Sequence, residues 1–394
     1  MPRVIPGLEV LAESPAIVGD RPWALLSNHA AVSRRLEPAR VLLRQAVAGE
    51  LVRLFAPEHG LDGVAQDMEA VGDGRDPLTG LAVRSLYGTD ATTLRPRPED
   101  LDGIRAVVID LPDIGSRYYT FAATMDATMA ACERHGVEVV VLDRPNPIAG
   151  VMREGGLVQP GYESFVSRLP VPARHGLTLG EIALLLQRER YPGLELSVLA
   201  CSGWNRSIWW SETGLPWVPP SPNMPTLETA ALYPGLCLVE ATTVSEGRGT
   251  TRPFHLVGAP WIDAQELVKR LRATATRGAA FRAARFRPEF GKHAGAACSG
   301  VEVHVIDRSA LRPVELGLRM LQTIHDLDPT RFEWRHEPYE FVSEVPAIDL
   351  LTGSSAVRDC IDAGNRLEPL LAQWQEDVDD FEAELDGVLL YNSP

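Results

Sequence analysis

The chain is short of positive charge. Its 394 residues carry 38 Lys and Arg against 53 Asp and Glu, a formal net charge of −15, and no basic run stands out. Polyanions are held by clustered cations, so neither nucleic acid nor an anionic membrane surface is an expected partner. A small anionic ligand gripped by a few arginines is still compatible with that total. Cysteine is scarce too: Cys132, Cys201, Cys237, Cys298 and Cys360 are odd in number, far apart and free of CxxC. That argues against a disulfide framework and against a cysteine zinc site, and fits a reducing compartment. No apolar stretch approaches the roughly 20 residues of a membrane-spanning helix. The opening MPRVIPGLEVLAE has no basic segment leading into a long apolar one. A soluble, cytoplasmic protein is therefore expected unless a leader has been removed.

Several chemical signatures are missing as well. A dinucleotide fingerprint needs clustered glycines between the first strand and its helix. That place reads SNHAAVSRR, and GDGRDPLTG at 72–80 comes too late and leads into no helix. GxSxG and HExxH are absent and the histidines show no ligand spacing, which leaves a serine hydrolase and a metal centre unsupported. No cofactor is implied.

What is present is an alternation of buried strands and helices. Trp23–Ser27, Leu51–Phe55, Ile104–Asp110 and Val137–Leu142 are short apolar runs, parted by helical spacing over Ser33–Ala48 and Thr124–His135, with Gly136 as a stop. Such alternation predicts an α/β fold with a doubly wound, mostly parallel sheet. Further strands are expected at Pro170–Ala173, Leu194–Ala200 and Leu236–Glu240, and Thr178 with Glu181 forms a capping box for a helix Leu179–Arg190. Past Ile262 the pattern changes. A helix Ala264–Ala275, an alternating strand Val301–Ile306 and helices Val314–Asp326, Ala356–Ala363 and Leu367–Leu385 predict a smaller α+β domain. The expected division is 1–262 and 263–394. Two long loops stand out, residues 64–103 and the Trp- and Pro-rich 202–226; long irregular segments are more often functional than merely connecting.

The organising stretch is LFAPEHGLDG at 54–63. Glu58 and His59 follow a strand that stops at Pro57, and strand carboxyl ends are where open α/β sheets bind ligands. A carboxylate beside an imidazole there is a candidate acid/base pair. Other polar groups punctuate equivalent points: Asn28 and His29; Asp110, Asp113, Arg117, Tyr118 and Tyr119; Asp143, Arg144 and Asn146; Arg174 and His175; and Glu240 leading to Glu246, Arg248 and Thr250. Taken singly each has a structural explanation, as a turn former, a cap or a packed tyrosine. Taken together they predict one polar cleft. Carboxylates, arginines, amides and aromatics suit a hydroxyl-bearing ligand such as a sugar, and glycoside cleavage uses a protonated carboxyl and usually a second carboxylate.

FAPEHGLDG, YGTD, DLPDIGSRYYTF, VVLDRPNP, VPARHGLTLGE, SPNM, YPGL and SEGRGTTRPF occur in this order. With GAPWID and the late LTG, they resemble the exo-β-N-acetylmuramidase NamZ family over about Trp23 to Tyr391. The resemblance implies a Rossmann-like catalytic domain, a smaller auxiliary domain, and release of N-acetylmuramic acid from the non-reducing end of peptidoglycan fragments. It places the catalytic glutamate of PEHG on Glu58, as the general acid. His59 is then an orienting partner, and Asp113, Asp143 and Glu246 are candidates for the second carboxylate. Arg117, Arg174 and Arg248 are candidates for the lactyl carboxylate of muramic acid. Tyr118, Tyr119 and Asn223 are candidate sugar contacts, with Asn28, His29, Arg144, Asn146 and His175 beside them. Two positions depart from the family pattern: Thr243 where Asn is expected, and Thr251 where Asp is common. Two other readings stay open: a nucleotide- or phosphosugar-binding enzyme with Arg248 and Gly249 on the phosphate, and a non-catalytic muramyl-glycan-binding protein.

Overall fold

The apolar runs become strands because the sheet is covered on both faces. A computed structural model describes residues 3–274 and 276–392. Its main sheet holds β1 (Trp23–Ser27), β2 (Leu51–Ala56), β3 (Gly74–Arg75), β4 (Ala82–Ser85), β5 (Ala106–Asp110), β6 (Glu138–Leu142) and β7 (Leu196–Leu199). The order is β3-β4-β2-β1-β5-β6-β7, parallel except for β3 against β4. Successive side chains on a strand point to opposite faces. Trp23, Leu25, Ala106, Val108, Val140 and Leu142 enter one core; Ala24, Leu26, Val107, Ile109, Val139 and Val141 enter the other. Continuous rather than alternating hydrophobicity is what burial on both faces requires. The chain leaves β1 through β2 and β4 on one side, then returns to β5, β6 and β7 on the other. That reversal between β1 and β5 opens a crevice at the strand carboxyl ends.

Local signals explain several helix boundaries. The helix Phe121–His135 ends on Gly136 at φ 61°, and Thr178 and Glu181 form the expected capping box of the helix Leu179–Glu189. The helix between β1 and β2 is shorter than its spacing suggests, Ala39–Ala46, because the Ser33 hydroxyl ties the amides of Arg35 and Glu37 into a turn and Pro38 precedes the first helical residue. Two expected strands are corrected. Pro170–Ala173 is irregular, and Arg174 makes only isolated bridges to Ser116 and Glu154. Leu236–Glu240 belongs to the helix Leu227–Leu236 and the 3₁₀ turn Cys237–Ala241 that extends it. An apolar run buried on every side has no period from which to tell the two apart.

The second sheet is antiparallel, β8 (Leu256–Ala259), β10 (Cys298–Val305) and β9 (Ala279–Phe286), in that order. β10 is central, so Gly300–Val303 is buried rather than half exposed. Around it lie helices Ala264–Ala273, Pro313–Leu327, Ala356–Asp362 and Glu368–Ala383; Ala275, the expected end of the first, lies outside the described residues. This smaller α+β layer shares a core with the main sheet, since Val257, Val301 and Leu318 join Val107 and Val139 in one cluster. Gly235 and Gly317 make the closest crossing. A Cβ on Gly235 would meet the Pro313 carbonyl oxygen at 1.6 Å, and one on Gly317 the Gly235 carbonyl oxygen at 2.2 Å. Among the described residues, no helix is long and apolar enough to cross a membrane.

Candidate active site

Glu58 reaches the crevice because β2 ends at Ala56 and Pro57 stops it. His59 follows at φ 70°, and its Nδ1–H donates to the Ala65 carbonyl at 2.9 Å, closing the turn. Within that turn Gly63, at φ 65°, presses on the His29 imidazole, which a Cβ would approach to 1.9 Å. Glu58 is only 3 % exposed. Its Oε2 accepts the Thr120 hydroxyl at 2.6 Å and its Oε1 the Met68 amide at 3.2 Å. Thr120 stands at the head of the helix Phe121–His135 and Met68 lies in the long loop after β2, so two segments fix one carboxyl.

More carboxyls crowd against it. Glu58, Asp67 and Glu340 each place an oxygen within 4.8 Å of the other two. Glu340 is 4 % exposed and accepts the Tyr87 hydroxyl at 2.9 Å. Glu240 accepts the Tyr339 hydroxyl at 2.8 Å and Arg248 Nη2 at 2.6 Å. Arg248 also donates to Asp67 Oδ1 at 3.1 Å, lies 3.7 Å from Glu246, and covers the Phe254 ring at 5.0 Å. The Lys292 ammonium donates to Glu246 at 2.9 Å and to the carbonyls of Val239, Glu240 and Val244.

Charge balance within the cluster is uneven. Burial, then the charges of Glu58 and Asp67, push the Glu340 carboxyl well above the usual carboxylate range. Burial also raises Asp67 and Glu240, against the pull of Arg248. Glu246 goes the other way: burial opposes its charge, yet Lys292 and Arg248 hold it below the usual value. Three close carboxylate oxygens could touch one cation. However, hydroxyls of Thr120 and Tyr87 already bond two of these groups, and hard cations ask for about six or more oxygens.

Backbone strain gathers here too. Of the eight described non-glycine residues with positive φ, His59, Met68, Phe254, His293, Glu340 and Phe341 belong to this region. Such conformations persist where the surroundings over-determine them, and they concentrate at functional sites. The carboxyls wall an inner chamber of about 20 Å³, lined also by Tyr118, Tyr119, Ser221, Asn223 and Tyr233. It adjoins a cavity of about 510 Å³ through Asp67 and Arg248, with Gln66, Thr243, Lys292, His293 and Arg335 on the outer walls.

The sequence candidates divide. Glu58, His59, Tyr118, Tyr119, Asn223, Glu246 and Arg248 converge on the chamber and its mouth. The Tyr118 hydroxyl, though, donates to the Pro234 carbonyl, while Asn223 donates to Gln66 at 2.9 Å. Asn28 and His29 pin the loop beside the site, donating to the carbonyls of Pro220 and Pro219 at 3.0 and 2.8 Å. Asp143 does not join: it accepts Thr178 Oγ1 at 2.7 Å and the Gly180 amide at 2.8 Å, and burial pushes it up to about 6. Arg144 is paired with Asp110, and Asn146 bonds the Leu177 carbonyl at 2.8 Å. His175 Nδ1 accepts the Leu177 amide, leaving Nε2–H facing Asp113 at 3.3 Å. Arg117 is spent on the carbonyls of Gly156, Val171 and Leu351, and Arg174 on that of Ile148 at 2.8 Å. Arg248, enclosed by three carboxylates, is no phosphate holder.

Two matched family descriptions cover almost the whole chain: "Exo-beta-N-acetylmuramidase NamZ, N-terminal" over residues 23–228 and "Exo-beta-N-acetylmuramidase NamZ, C-terminal" over residues 231–391. The chain belongs to the exo-β-N-acetylmuramidase NamZ family. It is 38% identical, over 99% of its length and 92% of the relative's, to the peptidoglycan β-N-acetylmuramidase NamZ of Bacillus subtilis (strain 168). A crystal structure of a DUF1343 family protein from Bacteroides fragilis NCTC 9343 matches over 100% of both chains with a TM-score of 0.90 and 34% identity. A second from the same organism covers 99% of both with a TM-score of 0.75 and 27% identity. Within this NamZ-family site, sequence reasoning missed Asp67, Thr120, Lys292, Arg335, Tyr339 and Glu340. Asp67 and Thr120 lie close to quoted motifs, four residues past FAPEHGLDG and inside DLPDIGSRYYTF. The other four come from the second layer, where no strand end marks them.

Proposed function

We propose that the protein releases N-acetylmuramic acid from the non-reducing end of peptidoglycan fragments, with Glu58 as the acid that protonates the leaving oxygen. It is an exo-acting glycoside hydrolase. The observation that carries the assignment of the acid is the placement of Glu58: buried, held by Thr120 and Met68, and facing other carboxyls beside a cavity of about 510 Å³. That volume lies in the usual range for a small-ligand site. Asp67, within 4.8 Å of Glu58, is the second carboxyl in reach; Asp143 is used up at a helix start. Arg335 is the guanidinium for the lactyl carboxylate, because it lines the outer cavity above the Tyr339 ring at 5.2 Å, whereas Arg117 and Arg174 line neither that cavity nor the chamber. A chamber of about 20 Å³ holds a water molecule or so, so the segment bearing Tyr339, Glu340 and Phe341 moves aside for a sugar ring. The test is hydrolysis of a chromogenic β-N-acetylmuraminide and of the matching N-acetylglucosaminide. Turnover of the first alone is expected; binding of muramic acid with no product from either substrate would make this a glycan-binding protein instead.

A further inference from the structure

The chamber holds more acid than cation. Arg248 is shared among Asp67, Glu240 and Glu246, and Lys292 serves Glu246 and three backbone carbonyls. Neither bonds Glu58 or Glu340, whose side-chain hydrogen-bond partners among the described residues are two hydroxyls and one amide. Glu340 faces Glu58, Asp67 and Glu240, the hydroxyls of Tyr87 and Tyr339, the His59 ring and, across the chamber, Arg248. Carboxyls this close without a cation between them do not all ionise; they share protons. Glu340 and Phe341 are both held at positive φ, 47° and 67°, and the Phe341 ring meets Tyr87 edge-on with centroids 5.5 Å apart. The backbone thus accepts strain to bring a carboxyl from the second layer against the first.

We propose that Glu340 is a positioning carboxyl that shares a proton with Glu58, keeping the acid loaded until the glycosidic oxygen arrives. This rests on the hydrolase reading above. In the step itself the proton passes from Glu58 to the leaving oxygen. The C1–O bonding pair goes to that oxygen, and water completes the anomeric carbon, giving its proton back to the carboxyl pair. The burial that raises Glu340 fits this role.

Glu340→Gln preserves size and an acceptor for Tyr87 while removing the charge. The basic limb of the kcat/KM profile on the chromogenic muraminide should move about one pH unit or more toward acid, with KM little changed. Glu340→Asp should restore the limb. A second readout needs no substrate. A carboxyl raised on folding costs the native state above its unfolded value, so wild-type stability falls as pH rises from about 4.3 toward the raised folded value. Glu340→Gln lacks that loss, so its melting temperature should gain on wild type as pH rises above about 4.3. Parallel melting curves, or an unmoved basic limb in the folded variant, would overturn the proposal. A wild type that cleaves no muraminide would overturn the hydrolase reading, while the melting curves would still decide the carboxyl pair.

Discussion

Glu58 was visible in the sequence because one physical rule places it: a strand stopped by proline puts the next residues at the carboxyl edge of a parallel sheet. Glu58→Gln should fold, since the amide oxygen can take the Met68 amide and the Thr120 hydroxyl can reverse to accept. Muraminide hydrolysis should fall about 10²–10⁴-fold, the usual worth of a general acid; a loss under about threefold would put the acid elsewhere. Spacing was blind to what each polar residue bonds. Arg117, Arg174 and Asn146 look the same in sequence whether they face a ligand or a neighbouring backbone, and they turn out to satisfy buried carbonyls. That moves the reading of the lactyl group to Arg335. Arg335→Met should raise KM for the muraminide and narrow its advantage over the glucosaminide by roughly 10- to 100-fold, as loss of a charge-assisted hydrogen bond of about 1.5–3 kcal/mol implies. An unchanged ratio between the two substrates would remove Arg335 from the role.

Among elements, strands buried on two faces were the most readable, because burial imposes a run of fixed length between turn formers. β1 spans Trp23–Ser27, as the run predicts. The stretch Leu236–Glu240 was misread as a strand, and it matters for the site, since the helix Leu227–Leu236 and its 3₁₀ extension carry Glu240 inward. Asp67 and Glu340 were unreadable for a different reason: irregular segments take their course from what they pack on, which no local period encodes. The crossing of Gly235 and Gly317 fixes the helix Leu227–Leu236, whose 3₁₀ extension carries Glu240, against the second layer. Gly317→Ala would drive a methyl into the Gly235 carbonyl, 2.2 Å from the ideal Cβ position. Overpacking of this kind typically costs about 1–3 kcal/mol, and the two layers would part slightly. Denaturant unfolding should show that loss, and kcat should fall although no residue touching the substrate has changed. A stable variant with wild-type kcat would show that the crossing does not set the site.

At the scale of the whole molecule, three segments far apart in sequence wall the chamber. The loop after β2 supplies Asp67, the Trp- and Pro-rich loop supplies Ser221 and Asn223, and the second layer supplies Tyr339 and Glu340. Asn223 and Gln66 bridge the first two at 2.9 Å, and the second of them is tied to the strand edge through Asn28 and His29. Such bracing closes the chamber behind Glu58 and leaves its approach on the side of the larger cavity that shares Asp67 and Arg248. A glycan is then expected to enter end first, its terminal sugar taking the space that the segment bearing Tyr339, Glu340 and Phe341 vacates while the rest lies in the outer cavity. Exclusion of water from such a blind end strengthens the bonds that hold the sugar. Digestion of defined glycan oligomers, followed over time, tests this directly. Free N-acetylmuramic acid should appear from the first minutes, and only from oligomers that carry it at the non-reducing end; early disaccharides or mid-chain fragments would mean an open groove, with the three segments forming its sides rather than its end.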